Sequence, residues 1–137
     1  MTSASASVTD PYSELVRRYF ANPVHAGQLS DEYNDAVVGE AAESETGARV
    51  VLSAVVDEET VRILRYQVFG CPHLIAAAEA FCDELEGQAV GALTELDVPG
   101  LMDKLELPVE KTGRVFILED AARALHIAVS GTAHTED

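Results

Sequence analysis

The chain has 137 residues and a mass of 14.6 kDa, room for one compact domain with a real core and too little for two of ordinary size. Its 24 acidic against 9 basic side chains leave a formal charge of -15 and a pI near 4.4, a surface that repels nucleic-acid phosphates and acidic lipid and argues against polyanion binding. Basic protein partners and hard cations are compatible with it, as is acidity that serves solubility alone. No run approaches the roughly 20 apolar residues needed to cross a bilayer, and the opening MTSASASVTD has neither the basic region nor the apolar core of a secretory signal.

Residues 1–10, rich in Ser, Ala and Thr, read as a flexible N-terminus; residues 11–130 read as one domain and 131–137 as a flexible C-terminus. The helical pattern starts at DPYSELVRRYF. Asp10 suits the cap, Pro11 the first turn, and Tyr12, Leu15, Val16 and Tyr19 share one face until Asn22-Pro23 ends the run. VHAGQLSDEYNDAVVGEAAESETG reads as a long irregular connection in which only Tyr33 to Val38 has weak strand character. ARVVLSAVV and TVRILRYQVF are the strongest strands, and the short polar DEET join predicts an antiparallel hairpin. From Pro72 the period changes: Leu74, Ile75, Ala78, Phe81, Cys82 and Leu85 recur at helical spacing until Gly87. Ala89 to Leu96 reads as a turn-rich connector, VPGLMDKLEL as a brief helix, and VFILEDAARALHIAV as a final helix that packs Leu118, Ala121, Ala122, Leu125 and Val129 inward. Helices at both ends around a central hairpin predict an α+β domain with a small antiparallel sheet packed against helices.

Both cysteines lie in VFGCPHLIAAAEAFC, eleven positions apart. A helix holds such a pair far beyond bonding distance, so no disulfide framework is expected, and a reducing, cytoplasmic compartment follows. Cys82 falls on the apolar stripe as an inert core thiol. Cys71 stands at the seam, where Pro72 suits the first helical position and exposed amides favour thiolate. Gly70 allows a sharp turn, and His73 could ligate a metal or hydrogen-bond a thiolate; the alternative is a helix-start cysteine beside a surface histidine. The chain has no CxxC, HExxH, Walker or GxGxxG pattern, and two cysteines cannot supply a four-thiolate zinc site.

YSELVRRYFANPVHAG, VFGCPHLIAAAEAFCDELEG and LELPVEKTGRVFILEDAARALHIAV, in that order, resemble the U-type iron-sulfur cluster assembly scaffold family, which includes the N-terminal domain of nitrogen-fixation U proteins. The resemblance spans roughly residues 12–129: Tyr12, Asn22-Pro23, Gly27, the FGC at 69–71, Leu107-Pro108 and the EDA at 119–121 all stand in family order. It implies a site built from three cysteines, an assisting aspartate and a histidine before the third cysteine. Carried onto this sequence, the first cysteine position is Thr46, the aspartate position Ala48, the middle cysteine Cys71, and the His-Cys pair Gly113 and Arg114. The sequence keeps one of the three cysteines and neither assisting side chain. Alanine and glycine carry no donor, a threonine hydroxyl is a poor soft-metal ligand, and arginine brings charge without an available lone pair. His73 follows the middle cysteine and is not the family histidine.

What the resemblance implies for function is therefore a divergent, scaffold-like carrier or accessory, non-enzymatic, with Cys71 and His73 as metal or persulfide candidates. A [2Fe-2S] cluster or iron is the implied cargo, and a homodimer pairing two Cys71 thiolates, completed by His73 or external thiols, is one way to hold it. A cysteine desulfurase or another assembly protein is the implied partner. The family's chaperone-recognition segment matches only in part as Leu107-Pro108-Val109-Glu110-Lys111, which weakens the case for the specialised Hsp70-type partner. Two other readings stand beside this one. An acidic interaction or regulatory module could keep the fold after losing its metal chemistry. Thiol enzymology at Cys71 would need a base that His25, His126 or His134 could bring only through the fold.

Overall fold

The computed structural model describes residues 12–29 and 32–135, so the capping role expected of Asp10 and Pro11 and the N-terminus 1–10 lie outside the described residues. Helix α1 spans Glu14–Ala21 and is capped by Ser13, whose Oγ accepts from the Val16 amide at 3.1 Å and donates to the Leu105 carbonyl at 2.7 Å. One hydroxyl thus satisfies an orphan amide and pins the helix start to the end of a distant element. Tyr12 precedes this helix and does not belong to its face as the spacing suggested.

Strands β1 (Val37–Ala42), β2 (Arg49–Asp57) and β3 (Thr60–Phe69) form one antiparallel sheet in the order β1-β2-β3. The β2–β3 hairpin is the one the sequence predicts. It turns through Glu58 and Glu59, both with positive φ, and carries a register shift between Val55 and Val56. Strand β1 corrects the sequence reading, which placed weak strand character at Tyr33 to Val38 and a loop thereafter. The strand begins at Val37, runs through Gly39 and Glu40 to Ala42, and pairs along its length with Ala54 to Arg49.

Helices α2 (Pro72–Leu85) and α4 (Thr112–Thr135) cover the face that carries Val50, Leu52, Ala54, Leu64 and Tyr66; the short α3 (Val98–Leu105) and 3-10 turns at Val90–Thr94 and Val109–Lys111 complete that layer. The final helix is longer than its apolar period indicates, starting three residues before Val115 and continuing to Thr135. It crosses β1 so closely that a Cβ on Gly39 would run into the backbone of Leu125, and only glycine permits that approach. Leu74, Phe81, Cys82, Leu105, Leu118 and Leu125 fill the core between the helices and the sheet. On the free edge of β3, Ala26 makes a parallel bridge to Tyr66, so the connection after α1 runs along this edge. The chain then returns to the opposite edge to enter β1.

Candidate functional site

The hairpin register sets the ends of the molecule. Arg49 pairs with both Ala42 and Phe69, so the β1–β2 loop, with Thr46 and Ala48, lies at the same end of the sheet as Gly70 and Cys71. A Cβ built on Gly70 would sit 3.9 Å from that of Ala48, which confirms the proximity. Leu125 lies over Gly39, and His126, Val129 and Ser130 line a cleft with Asp35, Val37 and Glu58 at the hairpin-turn end. Helix α4 therefore runs antiparallel to β1, and its first residues, Gly113 and Arg114, belong to the Cys71 end. The β1–β2 loop and the start of α4 thus lie toward the end of the domain that holds Cys71.

At that end Cys71 is the N-cap of α2 in extended geometry (φ -88, ψ 165), with Pro72 in the first turn as the sequence predicts. Its carbonyl accepts from the Leu74 amide at 3.0 Å and the Ile75 amide at 3.2 Å, while its side chain makes no capping bond. The thiol is part-buried at the helix mouth and not joined to Cys82, which is fully buried. Burial, reinforced by the negative charges of Glu79 and Glu86, pushes the Cys82 thiol well above the usual range and keeps it protonated. Cys82 is thus sealed in the core, while Cys71 stands at the helix mouth.

The histidine differs from the surface residue considered as the alternative. His73 is 5 % exposed, and its ring lies against Tyr12 with centroids 4.7 Å apart and planes inclined by 50°. Tyr12 is thereby drawn over the start of α2 from the other end of the sequence.

The remaining positions hold no soft ligands. Thr46 donates to Glu43 Oε1 at 2.8 Å and accepts from the Ala48 amide at 3.2 Å, so its hydroxyl shapes the exposed loop. Ala48 is buried, Gly113 is exposed, and Arg114 is part-buried with a cationic head. Among the described residues, no three His, Cys, Asp or Glu side chains gather to hold a metal ion. The described residues therefore do not supply a complete cluster site by themselves.

A second group of polar side chains escaped the sequence reading. His25 is tied to Glu79 and Glu86 of α2, and Arg65 of β3 also reaches Glu86. The sequence signal was Glu79 itself, a carboxylate inside the apolar run LIAAAEAFC whose seven-residue step leads to Glu86. Of the other histidines considered, His126 lies in the cleft at the hairpin-turn end and His134 belongs to the last turn of α4, both remote from Cys71.

The family model described as the NifU-like N terminal domain matches residues 11–132. The chain belongs to this family, as a divergent, ligand-poor member. It is 25% identical over 114 residues to the iron-sulfur cluster assembly scaffold protein IscU of Rickettsia prowazekii, covering 82% of this chain and 87% of that one. The iron sulfur cluster assembly protein 1 of Trachipleistophora hominis is 24% identical over 113 residues, with 82% of each chain covered. Among solved structures, a SUF-system iron-sulfur cluster assembly scaffold from Fervidobacterium islandicum AW-1 superposes with a TM-score of 0.61 at 16% identity, covering 85% of this chain and 95% of that chain. The N-terminal part of a NifU-like protein from Brucella abortus gives 0.58 at 18% identity, with 90% and 92% covered. These likenesses establish the α+β scaffold fold.

Proposed function

We propose that this chain is a non-enzymatic accessory of iron-sulfur cluster assembly in which Cys71 is the single cargo-binding thiol and the other ligands come from outside the chain. The observation that supports this reading is Cys71 itself, a part-buried thiol at the mouth of α2 on a chain of the scaffold family. Partial positive charge at a helix N-terminus favours thiolate, the form that binds iron or accepts a persulfide. Because Thr46, Ala48, Gly113 and Arg114 contribute no thiolate or imidazole, a second copy, an external thiol or a partner protein must complete any cluster. Family membership points to a cysteine desulfurase as one partner, and two free thiols suit a reducing, cytoplasmic setting.

Anaerobic reconstitution with iron and sulfide tests this directly. Bound iron, acid-labile sulfide and visible absorption should exceed those of a Cys71→Ala control and should rise with added glutathione or with dimer formation. No iron or sulfide above that control would overturn cluster carriage. The lack of three converging donors among the described residues favours one other reading, an acidic interaction or regulatory module, under which Cys71→Ala leaves partner capture unchanged.

A further inference from the structure

The segment that follows α1 is fastened to α2 through His25. His25 is 7 % exposed, its amide donates to Glu79 Oε1 at 2.9 Å, and its Nδ1 lies 2.6 Å from Glu79 Oε2. The other ring nitrogen, Nε2, lies 3.2 Å from Glu86 Oε1. The remaining oxygen of Glu86 accepts from the Leu64 amide at 3.0 Å and from Arg65 at 2.8 Å. Both ring nitrogens therefore face carboxylate oxygens. A neutral imidazole carries one N–H, so it can serve only one of them; the second would meet the carboxylate lone pair to lone pair. Only the imidazolium donates in both directions.

We propose that His25 is a proton-dependent clasp: protonated, it fastens residues 23–27 to both Glu79 and Glu86 of α2, and loss of one ring proton releases the Glu86 side. The Glu79 side is the one retained, because its carboxylate also holds the His25 amide and is buried, whereas Glu86 keeps Leu64 and Arg65 through its other oxygen and reaches solvent. The groups that face the histidine are Glu79 and Glu86 of α2; around those two carboxylates stand Cys82 of α2 and Arg65 and Tyr66 of β3. Burial and the neighbouring Glu79 push the Tyr66 hydroxyl up, and burial with Glu79 does the same to Cys82, so both stay neutral. Burial alone would raise Glu86, but the Leu64 amide, Arg65 and His25 outweigh it and hold this carboxyl below its ordinary range. Glu86 thus accepts throughout mildly acidic conditions, and the clasp is closed wherever the imidazole carries both ring protons.

The clasp governs a small cooperative unit. Gly27 donates to the Tyr66 carbonyl at 2.8 Å and Tyr66 to the His25 carbonyl at 2.9 Å, so these amides report whether the segment lies on the β3 edge. Hydrogen exchange of the full chain, corrected for intrinsic rates, should show their protection falling roughly tenfold or more between about pH 5.5 and 8, as expected for loss of one charge-assisted bond, with Leu52 and Ala54 unchanged. His25→Gln should abolish the pH dependence of these amides. Nitrogen-15 spectra of the wild-type imidazoles give a second readout that needs no variant: His25 should carry protons on both nitrogens at the acid end and lose the Nε2 proton on titration. Protection independent of pH, a pH dependence that persists in His25→Gln, or loss of the Nδ1 proton with Nε2 kept would overturn the proposal.

Discussion

The two halves of α2 use the same helix for opposite purposes. At its start, Cys71 is part-buried, its side chain takes no part in the cap, and His73 lies under Tyr12. Two turns further, Glu79 and Cys82 are sealed in the core, and His25 is bonded to Glu79. The difference teaches that polarity alone does not mark a site in this chain. The most polar buried cluster belongs to the half that holds the structure together, while the half that starts with Cys71 brings no three metal-ligating side chains together among the described residues.

The largest test of that contrast is thiol reactivity. Cys71 should alkylate at least about a thousandfold faster than Cys82 near neutral pH, because Cys82 must wait for an opening of the core that costs several kcal/mol. Peptide mass spectrometry after timed alkylation reads both thiols at once. Comparable labelling in protein shown to be folded would erase the distinction between the halves. Glu79→Ala probes the buried half from the other side. It strands His25, part of a paired and buried cluster, and should cost about 3–5 kcal/mol in urea denaturation.

A smaller effect appears in alkali. The Cys82 thiol is pushed up by burial, then by Glu79 and Glu86, so the folded chain keeps a proton that the unfolded chain releases above about pH 8.5. Its contribution to stability is fully present below that pH and is lost as pH rises, at up to about 1.4 kcal/mol per pH unit until the folded thiol itself ionises. Tyr66, pushed up by burial and then by Glu79, adds the same sign above about pH 10. Denaturant midpoints between pH 8 and 10 should fall in the wild type and fall less steeply in Cys82→Ala. Equal slopes would mean that Cys82 is less sealed than its burial indicates.

What the sequence disclosed follows the range of the interactions involved. The β2–β3 hairpin and the start of α2 rest on valine-rich runs, a four-residue join and a proline in the first turn, all local signals. Strand β1 was hidden because VVGEAA contains glycine, glutamate and alanine, poor strand formers that are held by pairing with β2 and by the passage of α4 over Gly39. That the β1–β2 loop with Thr46 and Ala48 lies beside Gly70 depends on the pairing of β1 with β2, which the sequence pattern did not show. Of the His25 cluster only the α2 side was marked, by Glu79 within an apolar run and the seven-residue step to Glu86; His25 itself stands 54 and 61 positions from them, and no local pattern ties it to that helix.

The smallest prediction concerns the cap of α2, and it separates thiol chemistry from helix architecture. Ser13 and Cys71 occupy equivalent positions on α1 and α2, both extended and both followed by a helix. Ser13 lends its hydroxyl to the third amide of its helix; Cys71 lends only its carbonyl. Removing the sulfur therefore takes no capping bond away, and Cys71→Ala should change stability by no more than about 0.5 kcal/mol. Cys71→Ser introduces the oxygen that the position lacks and should stabilise the chain by about 0.5–1 kcal/mol, as N-cap hydroxyls do elsewhere. Urea midpoints of the three proteins, at one pH and with reductant present, decide the order. If Cys71→Ala instead costs more than about 1 kcal/mol, the thiol is part of the packing at the helix mouth, and its retention in this chain has a structural explanation that needs no cargo.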